Sequence, residues 1–310
     1  LQVVKDITFE VTMKCNLSCA MCSRQFLSDK TSELQFDMAR EVIADLAANY
    51  RQPVNISIGG YGEPLLYSQL GQLLRLIKKG LPRSQVTLTS NAHLLSPERG
   101  RMLLESGLDY LRLSLNATTA AEYARLMRSS KFAEVEENIA AFLRQKNQNG
   151  NHMKVGLQIL DTKENKERFP QYKKKWEGLL KGEDFIAYRL LENRGGVIDS
   201  AELSQGSSPG QMSSRYPCYA LWRYIALDTK GRVYACCEAY TFREKPTLLC
   251  LGSLDEKSIT DIIEGEQLKM VQDLHLKNQY RRLPECWRCS KPINYPNYWV
   301  LSNGQWVEKS

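Results

Sequence analysis

The chain has 310 residues, 43% apolar and 25% charged, and 42 Lys and Arg against 35 Asp and Glu give it a net charge of +7. That balance excludes a disordered or collagen-like chain and suits one large domain, or a large one joined to a small one. No apolar run approaches the ~18 residues of a membrane-spanning helix, the first residues lack a signal-peptide pattern, and the basic residues are scattered without a nucleic-acid-binding motif. A cytoplasmic protein with neither membrane nor nucleic acid as partner is expected.

Strand and helix patterns alternate along the first two-thirds. Ile7–Met13 is an apolar, β-branched strand run, and Val42, Ile43 and Leu46 mark a helix over Glu41–Asn49. Asn55–Ile58 is a strand ending in Gly59-Gly60, and Leu70–Leu76 is helical. Val86–Thr89 precedes a helix over Pro97–Glu105, with Gly107 suited to stop it. Tyr110–Leu115 alternates as a strand, while Ala120–Met127 and Phe132–Arg144 have helical spacing. Lys154–Leu160 and Phe185–Leu190 read as strands flanking a polar helix over Glu167–Leu180, which carries Lys173-Lys174-Lys175.

Six strand–helix steps in order predict an α/β fold with a parallel sheet and right-handed crossovers. Six units are too few for a closed eight-stranded barrel, so a partial, open (β/α)6 TIM-like barrel is expected, with its active site at the C-terminal strand ends. Residues 193–215 then have loop composition, rich in Gly, Ser, Asn and Gln. Beyond them Tyr224–Leu227 and Val233–Ala235 flank the hairpin turn Asp228-Thr229-Lys230-Gly231, and helical patterns follow at Ile259–Ile263 and Leu268–Leu274. A barrel over residues 1–200 and a small cysteine-bearing domain over 201–310 are expected.

Nine cysteines and only three histidines occur, and the cysteines cluster at the two ends of the chain. In a cytosolic enzyme such clusters read as metal ligands or catalytic thiols. Cys15-Asn16-Leu17-Ser18-Cys19-Ala20-Met21-Cys22 follows directly on the first strand, with spacing C-x3-C-x2-C. Three thiolates on one tight loop can hold three irons of a [4Fe–4S] cube and leave the fourth iron open. A zinc site here would lack a nearby His for its fourth ligand.

The motif resembles that of the radical S-adenosylmethionine (SAM) superfamily. The resemblance implies that the open iron chelates SAM, that the reduced cluster breaks its C–S bond, and that a 5′-deoxyadenosyl radical abstracts a substrate hydrogen. An external one-electron reductant of flavodoxin or ferredoxin type is implied as a partner. Tyr61-Gly62-Glu63-Pro64 resembles the family's Gly-Gly-Glu-Pro element on the SAM amino group, with Tyr for the first Gly. Ser90 and Asn91, Ser114 and Asn116 end the next two strands, where the family contacts the rest of SAM, and Arg128 resembles its basic residue on the SAM carboxylate. Met21 stands where the family often has an aromatic residue.

Among the later cysteines, Cys218, Cys236, Cys286 and Cys289 resemble the ligands of a Twitch domain, a shortened SPASM domain with one auxiliary [4Fe–4S] cluster; structural zinc is the alternative. Two [4Fe–4S] clusters and SAM are therefore the expected cofactors. Asn193-Arg194-Gly195-Gly196-Val197-Ile198-Asp199 resembles a loop of the aminoglycoside-biosynthesis members, whose epimerases and dehydrogenases act on sugars or aminocyclitols. Asp199, Glu238 and Arg194 are candidates to hold such a polar substrate. Two thiols remain. An epimerase quenches its substrate radical from a thiol, whose S–H bond is weak, and Cys250 resembles the family donor, with Cys237 the second candidate; either can equally be a small buried hydrophobe. Epimerisation is the expected reaction, with dehydrogenation or peptide modification as alternatives.

Overall fold

The computed structural model describes residues 4–205 and 216–291, and the backbone of 299–302 and 305–308. Within the expected linker, 206–215 lie outside the described residues. The strand–helix alternation is present as read: β1 (Asp6–Phe9), α1 (Phe36–Asn49), β2 (Asn55–Ile58), α2 (Leu70–Gly80), β3 (Val86–Ser90), α3 (Pro97–Glu105), β4 (Tyr110–Asn116), α4 (Ala120–Met127), α5 (Phe132–Gln148), β5 (Lys154–Leu160), α6 (Lys163–Trp176) and β6 (Phe185–Arg189). Strands β1 to β6 pair in parallel in sequence order. Alternation along β4 explains its place: Leu111, Leu113 and Leu115 are fully buried, while Tyr110, Arg112 and Ser114 on the opposite face are half-buried. Among the described residues no helix is long and apolar enough to cross a membrane.

The C-terminal part begins with α7 (Ser200–Ser204), then β7 (Tyr224–Leu227), β8 (Arg232–Tyr234) and β9 (Cys250–Ser253), α8 (Ile259–Ile263), α9 (Glu266–Leu276) and α10 (Pro284–Arg288), and ends in the hairpin of β10 (Trp299–Ser302) and β11 (Gln305–Glu308). Here the structure adds something the sequence did not predict. Strand β7 pairs in parallel with β1, Asp6 opposite Tyr224 through Phe9 opposite Leu227, so one nine-stranded sheet runs β6-β5-β4-β3-β2-β1-β7-β8-β9. The second cysteine group is thus carried on an extension of the barrel sheet. The β7–β8 hairpin is closed by Asp228, whose carboxylate accepts from the Lys230 and Arg232 N–H groups, while Gly231 takes the positive φ of 79° that the turn requires.

A buried ion pair welds the two parts together. Glu10, just past β1, is fully buried, and Arg243 donates to its carboxylate through both terminal nitrogens at 2.5 and 3.0 Å. The Arg243 guanidinium also lies over the Tyr240 ring, 4.6 Å from its centroid. A bidentate fork of this kind keeps both charges satisfied in a dry interior. Removing one partner of such a pair costs about 3–5 kcal/mol, because the other charge stays buried.

Candidate active site

Past Phe9 the chain leaves the sheet, Thr12 bridges back to Glu33, and Cys15, Cys19 and Cys22 follow on one tight loop. Two anchors fix it. The Ala20 N–H donates to the Leu126 carbonyl near the end of α4 at 2.8 Å, and Arg24 donates its Nε–H to the Met13 carbonyl at 2.7 Å. Met21 is buried beneath the loop. Burial pushes all three thiols up, and the neighbouring thiols push Cys19 further. Three thiols on one tight loop are a donor set that suits a metal-containing group, which would hold them ionised.

The loop after β2 presses directly on the cysteine loop. A Cβ on Gly62 would lie 1.9 Å from the Thr12 carbonyl oxygen. Glu63 is buried, and its carboxylate accepts from the Leu65 N–H (3.1 Å), the Ser90 hydroxyl (2.8 Å) and the Asn91 N–H (2.8 Å). Asn91 then donates its side-chain amide to Asn16 Oδ1 within the cysteine loop at 2.8 Å. Three of a carboxylate's roughly four acceptor positions are used internally, so the Glu63 side chain acts chiefly by fixing the rim. At the end of β4, Ser114 is half-buried opposite Gln158. Asn116 is committed to structure: it adopts φ 63°, accepts from Gln158 Nε2 at 3.0 Å and directs its amide at Met127 Sδ. Arg128 ends α4 in the left-handed conformation, exposed, 3.5 Å from Gln25 Oε1, with its charge felt at Cys19.

The second group also converges. Cys218, Cys236, Cys286 and Cys289 line one small cavity of about 20 Å³. Burial pushes Cys218 up to about 11 and Cys289 up to about 12, and holds Cys236 and Cys286 well above the usual thiol range. Among the described residues, no three His, Cys, Asp or Glu gather closely enough to hold a single metal ion. Zinc would draw its thiolates to about 2.3 Å from one centre. Four thiols around one cavity are a donor set that suits a [4Fe–4S] cluster or a zinc ion.

The Asn193–Gly196 loop packs onto this cavity. Asn193 and Ser290 exchange hydrogen bonds, and Asn193 donates its amide to the Arg288 carbonyl at 2.8 Å. Gly195 and Gly196 both have positive φ, and a Cβ on either would collide, with Phe242 at 2.7 Å or Arg288 at 2.5 Å. The loop thereby delivers Arg194 to Glu238, Nη1 to Oε1 at 2.9 Å. Lys291 donates to the same oxygen at 2.9 Å and also pairs with Glu192 at 3.3 Å. Although burial opposes it, Arg194 and Lys291 hold the Glu238 carboxyl down to about 2. The other Glu238 oxygen, Oε2, is buried on the side where the Glu192 carboxyl interacts with Glu238, and the Arg194 side chain keeps 36% exposure. Cys237 completes the cluster, its Sγ 3.8 Å from Lys291 Nζ and 3.9 Å from Glu238 Oε1. The turn Cys237–Phe242 packs against Ser23–Phe26, the segment that follows Cys22, and Thr241 hydrogen-bonds Tyr61.

A model of the radical SAM superfamily matches residues 9–172, more than half of the chain, and a model of an iron–sulfur cluster-binding domain, SPASM, matches 218–290. The chain belongs to the radical SAM superfamily. Its radical SAM domain therefore takes a [4Fe–4S] cluster and SAM, and its SPASM domain takes further iron–sulfur. The chain is 25% identical over 169 residues to the tungsten-containing aldehyde ferredoxin oxidoreductase cofactor-modifying protein of Pyrococcus furiosus, covering 54% of this chain and 47% of that one. It thus spans less than half of that relative. Among solved structures, BtrN in complex with AdoMet and 2-DOIA matches with a TM-score of 0.62 at 19% identity over 93% of both chains. Streptococcus suis SuiB bound to precursor peptide SuiA matches with 0.67 at 15% identity, over 92% of this chain and 71% of that one. At these identities the two structures speak for the fold alone.

Within this radical SAM chain the spare thiols are far from equivalent. Cys250 opens the edge strand β9, opposite Tyr234, with its Sγ 3.9 Å from the Gly252 carbonyl. The charges around it are Arg232, Asp228 and Glu256, and it has no part in the Arg194–Glu238–Lys291 cluster. Asp199 caps α7, accepting from the Glu202 N–H, and likewise stays outside the cluster. Sequence reading missed Lys291, Glu192, Asn16 and the Glu10–Arg243 pair. Glu10 carried a signal, as a lone charge inside an apolar strand run. Lys291 carried another, two residues beyond the C-x2-C.

Gly62 yields a direct prediction. Gly62→Ala must separate the two loops that form the SAM rim. SAM cleavage should fall about a hundredfold, the usual penalty of an ångström-scale misplacement, with far-ultraviolet circular dichroism unchanged. Initial rates of 5′-deoxyadenosine release check it.

Proposed function

We propose that the chain is a radical SAM epimerase that inverts a carbon centre of a sugar or aminocyclitol, with Cys237 rather than Cys250 as the hydrogen-atom donor. The observation that carries this reading is the setting of Cys237, a thiol between Lys291 and Glu238 at the start of a turn that packs against Ser23–Phe26, just past Cys22. Cys15, Cys19 and Cys22 would hold the first cluster, and SAM bound there would supply the radical that removes the substrate hydrogen. Arg194, partly exposed, and the Glu238 carboxylate beside it suit the hydroxyl and ammonium groups of an aminocyclitol. Cys237 gives its hydrogen atom to the carbon radical from the opposite face: a C–H bond forms and the S–H bond breaks homolytically. The thiyl radical then takes one electron from the external flavodoxin- or ferredoxin-type carrier and a proton from Lys291. Cys218, Cys236, Cys286 and Cys289 are the proposed ligands of the second cluster. Glu63, Ser90, Asn91, Ser114 and Arg128 are proposed to surround SAM.

The second reading is dehydrogenation of a similar substrate, favoured by the match to BtrN with 2-DOIA over 93% of both chains. Product analysis in heavy water separates the two. The hydrogen removed from carbon leaves with 5′-deoxyadenosine, and its replacement comes from a thiol that exchanges with solvent. An epimerase therefore adds one carbon-bound deuteron and changes nothing else. Loss of two hydrogens would replace epimerisation by dehydrogenation.

A further inference from the structure

The family's first Gly is Tyr61 here, and its ring has a defined destination. The phenol hydroxyl hydrogen-bonds Thr241 Oγ1, the ring meets Tyr240 edge-on with centroids 6.1 Å apart, and the Arg243 guanidinium lies 5.6 Å from its centroid. The Tyr61 N–H donates to Glu10 Oε1 at 3.0 Å, the carboxylate that Arg243 grips. All three partners belong to the short 310 turn Cys237–Phe242 or to its capping residue Arg243. Cys236 caps the other end of that turn. Cys236, Glu238, Ala239 and Phe242 also wall the four-cysteine cavity.

One short turn is thus a wall of the second cluster site and a clamp on the loop that carries Gly62 and Glu63. The loop is also pressed against the chain just past β1, whose Glu10 is held by Arg243. A Cβ on Gly60 would lie 2.6 Å from Glu10 Cγ, and one on Gly62 1.9 Å from the Thr12 carbonyl oxygen. A close-packed link of this kind transmits a shift instead of absorbing it.

We infer that Tyr61 is a positioning residue that couples the auxiliary cluster to SAM: filling the four-cysteine cavity fixes the turn Cys237–Phe242, and through Tyr61 the fixed turn pre-organises the SAM loop. This inference rests on the proposed ligands of the second cluster. Binding linkage is reciprocal, and coupling between two such sites is typically about tenfold. SAM therefore binds more tightly once the second cluster is in place, and productive SAM cleavage waits for a chain able to complete its redox chemistry.

The test measures the SAM dissociation constant by anaerobic equilibrium dialysis on reconstituted protein. Cys286→Ala/Cys289→Ala should lower iron from about eight to about four per chain and weaken SAM binding about tenfold. Combined with Tyr61→Ala, the same cysteine change should weaken SAM less than about twofold, because the link is already cut. Tyr61→Phe keeps the ring and should retain part of the coupling. Thr241→Val removes the same hydrogen bond from the other side and serves if Tyr61→Ala fails to fold. A merely structural Tyr61 would leave the two effects additive. Iron that does not fall overturns the ligand assignment and the inference with it. Iron that falls while SAM affinity is unchanged, or additive effects, overturns the inference alone.

Discussion

With Cys15, Cys19 and Cys22 all replaced by alanine, reconstituted protein is expected to hold about four irons in place of about eight and to cleave no SAM. The reason is that the two thiol sets share no residue. The first is built at the end of β1 and anchored by Ala20 on Leu126 and by Arg24 on Met13. The second is built on the β7–β8–β9 extension and α10, around its own cavity. The triple variant loses one set and leaves the other intact. It also leaves the rim unit of Glu63, Ser90 and Asn91, which is held by its own hydrogen bonds. Cys286→Ala/Cys289→Ala is the mirror case and should still cleave SAM at saturating concentration. Iron and zinc are counted by elemental analysis. Tightly bound zinc at the second site in the triple variant would overturn the second assignment and leave the first standing.

The sequence exposed whatever is written locally. The C-x3-C-x2-C loop, the helix over Pro97–Glu105 and the strand over Lys154–Leu160 depend on neighbours in sequence, and they stand where spacing puts them. Boundaries set by long-range contacts did not show. The first strand stops at Phe9, short of the apolar run, because after a last bond from the Glu10 N–H to the Leu227 carbonyl the chain turns to pair with Ser32–Leu34. Helix α6 starts at Lys163, earlier than its apolar pattern suggests, because Thr162 caps it by accepting from the Asn165 N–H. It runs through Pro170 and stops at Trp176, short of the apolar Leu179 and Leu180. The β1–β7 pairing joins residues more than two hundred positions apart, and no local pattern announces it. The same holds at the candidate site. Arg194, Glu238 and Lys291 come from three separate segments, so their convergence belongs to the fold. The sequence resemblance puts Cys250 ahead of Cys237, and only the third dimension sets a thiol beside Lys291 and Glu238 apart from one on an edge strand.

That separation gives the second large effect. Cys237→Ala should abolish inversion while SAM cleavage and removal of the substrate hydrogen continue, and Cys250→Ala should invert at the wild-type rate. Alanine leaves the substrate radical without a donor, so it persists until it is oxidised, and a keto product should accumulate in place of the epimer. Cys237→Ser should not rescue, although it preserves size and hydrogen bonding, because an O–H bond is too strong to yield its hydrogen atom to a carbon radical. Lys291→Met tests the proton step separately. With Nζ gone from its place 3.8 Å from the thiol, the first turnover should proceed and later ones should slow, since only regeneration of the S–H bond needs that proton. Rapid-quench kinetics resolve the two phases, and the split between first and later turnovers distinguishes a proton donor from a group that merely shapes the pocket. If Cys250→Ala loses inversion and Cys237→Ala keeps it, the donor is the edge-strand thiol. The substrate must then approach β9 and not the Arg194–Glu238 cluster.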